Sequence, residues 1–213
     1  GYQHTVIGPH QFNYSVNCNP DGSASVPDKI AADGPAYRQE MIDWGLAEER
    51  VVDGGSFRIT EPKRRMSLAA EAPIYMALSA NLKIADRQME IARRIAGGGM
   101  KIVIKQHPMY PVSFAEIENL SRTETPITEF GKLSCVIYCT GASALDALLA
   151  GLPSVRLRFA DQVSIDVLPK NIGGVVADTD GIFDFVNNPA KPPEIVWRDL
   201  FSPVDYGVWA SLL

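Results

Sequence analysis

The residues best suited to chemistry stand where apolar runs give way to small and polar side chains. The sharpest case is Cys139-Thr140-Gly141-Ala142-Ser143, directly after the apolar run at 136–138. Ser143 and Asp146 have the S-x-x-D spacing of a capping box, which predicts a helix starting there, right behind a strand. A helix N-terminus presents free backbone N–H groups and about half a unit of positive charge. Thr140 and Ser143 add hydroxyl donors and Gly141 lets the backbone come close, so the stretch suits an anion. A strand-to-helix turn capped by Ser143, with no ligand, accounts for the same residues equally well.

His107 and Pro108 end the run KIVIK. The proline fixes its own φ and biases His107 toward an extended conformation. A histidine so placed can give a ring N–H to a phosphate oxygen, and an adjacent anion favours its protonated form. Bonding to a neighbouring loop is the commoner use of a lone histidine. Two more loops follow apolar runs: Ser79-Ala80-Asn81 and Thr128-Glu129-Phe130. They belong in the same set because doubly wound sheets bind ligands outside the carboxyl ends of their strands. Arg156 and Arg158 alternate with Val155, Leu157 and Phe159, a pattern of a solvated edge strand more than of a phosphate clamp.

The elements that must position these residues can be read from the periodicity. PIYMALS, KIVIK, 136–138 and VVADTD are short apolar strands. Ala85, Met89, Ala92 and Ala96, widened by Ile84, Ile91 and Ile95, predict a helix that the glycines at 97–99 end. Short helices are expected at 113–120 and 182–186, and a strand around Thr128. Strands separated by helices imply an α/β, Rossmann-like parallel sheet with helices on both faces. Upstream, Pro35 opens a helix carrying Tyr37, Met41 and Trp44, and Gly45 stops it. ERVVDGGSFRITEPKRR then reads as a strand, a glycine pair and a charged connector, which places a domain boundary near 60 to 70. Residues 1–60 and 61–213 are the expected domains.

Composition bounds the partners. Twenty Lys and Arg against 25 Asp and Glu leave a net charge of -5, which argues against a nucleic-acid footprint. Three cysteines, Cys18, Cys135 and Cys139, form neither a CxxC pair nor a ligand cluster with His4, His10 and His107. A reducing cytoplasm is therefore the default compartment, with no metal site, and Cys135 and Cys139 read as core filler. No window is long and apolar enough to span a membrane, and no GxGxxG follows a strand, which disfavours a dehydrogenase. The Gly1 start suggests a processed chain or an excised fragment.

KIVIKQHP and CVIYCTGASALDALLAGLPSVRL together resemble the nucleotide-binding half of GT-B glycosyltransferases. The likeness is to the bacterial surface-polysaccharide group with an HP motif and a downstream Ser/Thr motif, such as Kdo transferases and polysialyltransferases. PDKIAADGPAYRQEMIDWGLAEERVVDGGS resembles the end of that fold's N-terminal half. The resemblance implies a sugar transferase using a nucleotide-sugar donor, CMP-linked by preference, and a glycan or glycolipid acceptor in capsule or lipopolysaccharide synthesis. It implies no cofactor and no metal, since the DTD of VVADTD reads as a turn. It implies a cytoplasmic protein, with peripheral association at the inner face of the membrane left open. By residue, it puts His107 with Pro108, Thr140, Gly141 and Ser143 on the donor phosphate, Ser79 and Asn81 on the opposite lip, and Glu129 near the base or ribose. His4, in the opening GYQH, would face the donor as a catalytic residue; a histidine on the surface near a chain end is the plainer use. A nucleotide-sugar epimerase and a non-catalytic nucleotide-binding module are the rival functions.

Overall fold

The computed structural model describes residues 1–3, 6–8, 14–15, 26–62, 66–163, 165–170 and 172–212, which divide into two compact units. The first comprises Gly1–Lys63, Asp166–Ile172 and Ile195–Leu213, the second Arg64–Ile165 and Gly173–Glu194.

In the first unit, strand β1 (Ile30–Ala32) and strand β2 (Val51–Asp53) pair in parallel, with helix α1 (Pro35–Asp43) between them in the chain. Pro35 occupies the first turn of α1, where a missing N–H costs nothing. The helix ends in a Schellman arrangement: Gly45, at φ 97°, bonds the Ile42 carbonyl and Leu46 bonds that of Met41. Tyr37 and Met41 are fully buried. The closing segment packs here too. Helix α5 (Trp197–Leu200) delivers Phe201 onto the Tyr37 ring at 5.2 Å, and helix α6 (Tyr206–Ser211) is capped by the Asp205 carboxylate.

The second unit holds strands β3 (Ser67–Leu68), β4 (Ile74–Ala77), β5 (Ile102–Lys105), β6 (Leu120–Thr123), β7 (Lys132–Leu133), β8 (Val136–Tyr138), β9 (Ser154–Leu157) and β10 (Val175–Ala177). Six of them form one parallel sheet in the order β10-β9-β8-β4-β5-β6, while β3 pairs with β7. Numbered along the chain, that is the 3-2-1-4-5-6 order of a doubly wound fold, and the order reverses between β4 and β8. Helix α2 (Leu82–Gly97) and helix α4 (Gly181–Asn187) cover one face, packing Met89, Ile95, Ile182 and Phe185 on Ile74, Met76, Ile104 and Ile137. Helix α3 (Ser143–Leu149) covers the other, with Ala147 and Leu152 against Tyr75, Ala77 and Val136. Burial on both faces is why these strands read as unbroken apolar runs, each full side chain contributing about 1.5–3 kcal/mol. The expected α/β architecture with helices on both faces is present.

Three local expectations fail for identifiable reasons. Residues 113–120 form no helix: the chain inserts Phe114 into the core, and Gln106 and Arg122 take the Val112 and Phe114 carbonyls. Asn119 then turns at φ 64° into β6. Around Thr128 there is a 3-10 turn, Ile127–Glu129, rather than a strand, because Pro126 precedes it and only Ile127 is buried. And β9 is no solvated edge: it lies between β8 and β10, with Arg156 only 8% exposed. Among the described residues no helix is long and apolar enough to cross a membrane.

Candidate functional site

Register brings the strand-end residues together. Tyr75 pairs with Val136 and Ala77 with Lys105, so counting on by four residues along β4 and β8 sets Ser79 beside Thr140, and counting on by two along β4 and β5 leads from Ser79 to His107. The ladder does continue past the strand ends, since Leu78 N–H bonds the Lys105 carbonyl at 3.0 Å. Ser79 and Thr140 hydroxyl oxygens lie 3.4 Å apart across the switch point. Leu78 and Cys139 sit in the core on the α2 face, so the alternating neighbours Ser79 and Thr140 turn to the α3 side.

The β4 exit is held by a residue that sequence reasoning passed over. Gln88 on α2 is fully buried, accepts the Ser79 N–H at 2.8 Å and donates to the Ala77 carbonyl at 2.9 Å. The available signal was a glutamine at a position the helical period assigns to the core, one residue before Met89. Asn81 serves as the N-cap of α2: its side chain accepts from Lys83 N–H and its own N–H donates to Ser79 Oγ.

His107 opens a four-residue turn with Pro108 at its second position, closed by the Tyr110 N–H on the His107 carbonyl at 3.2 Å. Met109 N–H donates to His107 Nδ1 at 3.3 Å, and the ring stacks on Tyr110 at 5.5 Å. An acceptor at Nδ1 means that the proton sits on Nε2, leaving that N–H as the ring's donor.

Ser143 does not act as a cap. Ala142 already has helical φ and ψ and its carbonyl receives the Leu145 and Asp146 N–H groups, so Ser143 is the first helical residue and the S-x-x-D pair falls one position out of register. Gly141, at φ 109°, makes the left-handed step into α3, a conformation that favours glycine. Glu129 ends the 3-10 turn, is exposed, and shares no hydrogen bond with the Ser79–Thr140 pair among the described residues. His4 lies outside the described residues. Burial pushes the Cys135 and Cys139 thiols up to about 12, so neither is a nucleophile near neutral pH.

A cavity of about 310 Å³, lined by Ala72, Ile74, Lys101 and Ser134 among others, lies at the amino ends of β4 and β5. That is the edge opposite Ser79 and His107, away from the loops where such sheets hold ligands.

The first unit has its own polar cluster. Asp33 follows β1, is 7% exposed, and its backbone is tied by Gln3 and Ser202. Asp53 at the end of β2 accepts from Ser202 Oγ at 2.5 Å. Burial raises the Asp33 carboxyl to about 6, against the lowering effects of Arg58 and a Ser56 hydrogen bond, with Asp53 adding to the rise. A carboxyl titrating near neutrality is suited to accept a proton. Sequence reasoning missed Asp33, although its place after the run IAA is the same strand-end signal used in the second unit.

No family model matches the chain, and no curated protein matches it. Solved structures similar to it include UDP-N-acetylglucosamine 2-epimerase from Rickettsia bellii, at 16% identity and TM-score 0.42, covering 72% of this chain and 48% of that one. The glycotransferase of kitacinnamycin matches at 14% identity and TM-score 0.48, over 76% and 45% of the two chains. The glycosyltransferase SnogD from Streptomyces nogalater matches at 16% and 0.45, over 82% and 51%. The chain thus spans about half the length of each, and its sheet order, rather than these likenesses, establishes the fold.

Proposed function

We propose that the second unit binds the phosphate of a nucleotide-activated sugar and that the chain is the donor-binding portion of a glycosyltransferase. The observation that carries this reading is the Ser79–Thr140 hydroxyl contact at the switch point, with the β4–β5 register leading to His107 at the next strand end. Two hydroxyls and a ring N–H, converging at a sheet's carboxyl edge, stabilise the charge that builds on a departing phosphate. The HP and Ser/Thr motifs support a CMP-linked donor and a glycan or glycolipid acceptor in bacterial surface polysaccharide synthesis.

A thermal-shift screen of CMP, CDP, UMP, UDP and GDP tests the proposal. A bound nucleotide at about 100 times its Kd stabilises by roughly 2.7 kcal/mol, a rise in Tm on the order of 5–10 °C for a protein of this size. CMP or CDP should give the largest rise and His107→Ala should reduce it. A larger shift with UDP or GDP would overturn the cytidine assignment, and no shift with any of them would remove the nucleotide site.

A further inference from the structure

The row at the carboxyl edge extends past Thr140. Tyr138 pairs with Arg156, so the same count of two residues sets Arg158 beside Thr140. The β9 ladder also reaches that far, since Arg158 N–H bonds the Ala177 carbonyl at 2.8 Å. Val155, Leu157 and Phe159 belong to the core on the α2 face, which leaves Arg158 on the α3 side with Ser79 and Thr140.

Three other cations near this edge are turned elsewhere, while Lys83 in the first turn of α2 is exposed. Arg87 lies over the Phe159 ring at 4.0 Å and pairs with Asp161. Lys105 pairs with Glu124 at 2.6 Å, and Arg156 is buried one turn of the pleat deeper in β9. Arg158 is exposed and makes no ion pair within 4.0 Å among the described residues. Its charge also helps, least of several causes, to hold the Asp178 carboxyl low, while that carboxylate accepts the Asp180 and Gly181 N–H groups.

We infer that Arg158 is the cationic residue of this site, set to fork its guanidinium onto the same phosphate that the Ser79 and Thr140 hydroxyls approach. The inference rests on the reading of the row as a phosphate site, and it adds what the row lacks: a fixed positive charge. Arginine suits the task because its planar donors match two phosphate oxygens at once and it stays charged at any working pH.

Isothermal titration of the chain and of Arg158→Ala with CMP and with cytidine decides the matter. Loss of one charge-assisted contact should weaken CMP binding by about 10- to 100-fold while leaving cytidine unaffected, and Arg158→Lys, which keeps the charge but not the fork, should fall between. If Arg158→Ala lowers Tm in the absence of ligand, Arg158→Gln, which retains the stem, carries the same comparison. CMP binding unchanged in Arg158→Ala or Arg158→Gln would overturn the role of Arg158 and leave the nucleotide site standing. Failure of the unaltered chain to bind CMP, CDP, UMP, UDP or GDP would overturn both.

Discussion

At neutral pH Asp33 carries a charge that the fold would hold more easily as a neutral carboxyl. Its pKa of about 6 lies above the ordinary 3.8, because burial strips water from the anion. The folded state thus binds the proton more tightly than the unfolded chain. Its contribution to stability is complete below about pH 4 and is lost as pH rises through about 6. Asp33→Asn removes that dependence. The variant should be more stable than the unaltered chain by up to about 3 kcal/mol near pH 8, and about equal near pH 4. Urea melts at both pH values check this, and an equal difference at the two would show that Asn acts through packing. The same scale explains His107: a turn with proline at its second position aims the ring, and the Met109 N–H chooses which nitrogen keeps the proton.

Between elements, one buried side chain joins α2 to the exit of β4. Gln88 satisfies the Ser79 N–H and the Ala77 carbonyl, two backbone groups where the strand ladder gives out. Gln88→Leu keeps the volume and leaves both groups without a partner. The expected cost is about 2–4 kcal/mol, read as a lower urea midpoint with unchanged slope. Weaker CMP binding should accompany it, because Ser79 loses its anchor; an unaltered midpoint would mean that water replaces the amide. Elements with strong periods were legible in the sequence. The stripe from Ile84 to Ala96 gave α2, and the runs KIVIK and PIYMALS gave β5 and β4. Residues 113–120 and 127–129 were not, because single anchors, Phe114 and Ile127, fix them instead of a period. The Ser143 motif named the right junction but the wrong role, since Ala142 adopts helical dihedrals and moves the helix start by one residue.

Across the whole molecule, contacts distant in sequence complete the first unit. Gly34 passes so close to the returning chain that an added Cβ would stand 2.3 Å from Phe201 Cα and 2.5 Å from the Leu200 carbonyl oxygen. Gly34→Ala must push that backbone away, costing about 1–3 kcal/mol. Tm should fall by several degrees, on the order of 2–4 °C per kcal/mol. A variant that melts like the unaltered chain would show that the 197–201 segment shifts freely.

The sequence by itself determined the local periods, the strand-end positions of Ser79, His107 and Thr140, and the parallel α/β class, because each follows from side chains close together along the chain. It did not contain the register, the place of β9 inside the sheet, or the return of Phe201 to Tyr37. Those depend on which faces bury one another, and a strand's own pattern is the same whichever partners flank it. Only tertiary pairing could set Arg158 beside Thr140 and show Arg156 as buried, although the two arginines differ in sequence by a single alternation of the strand.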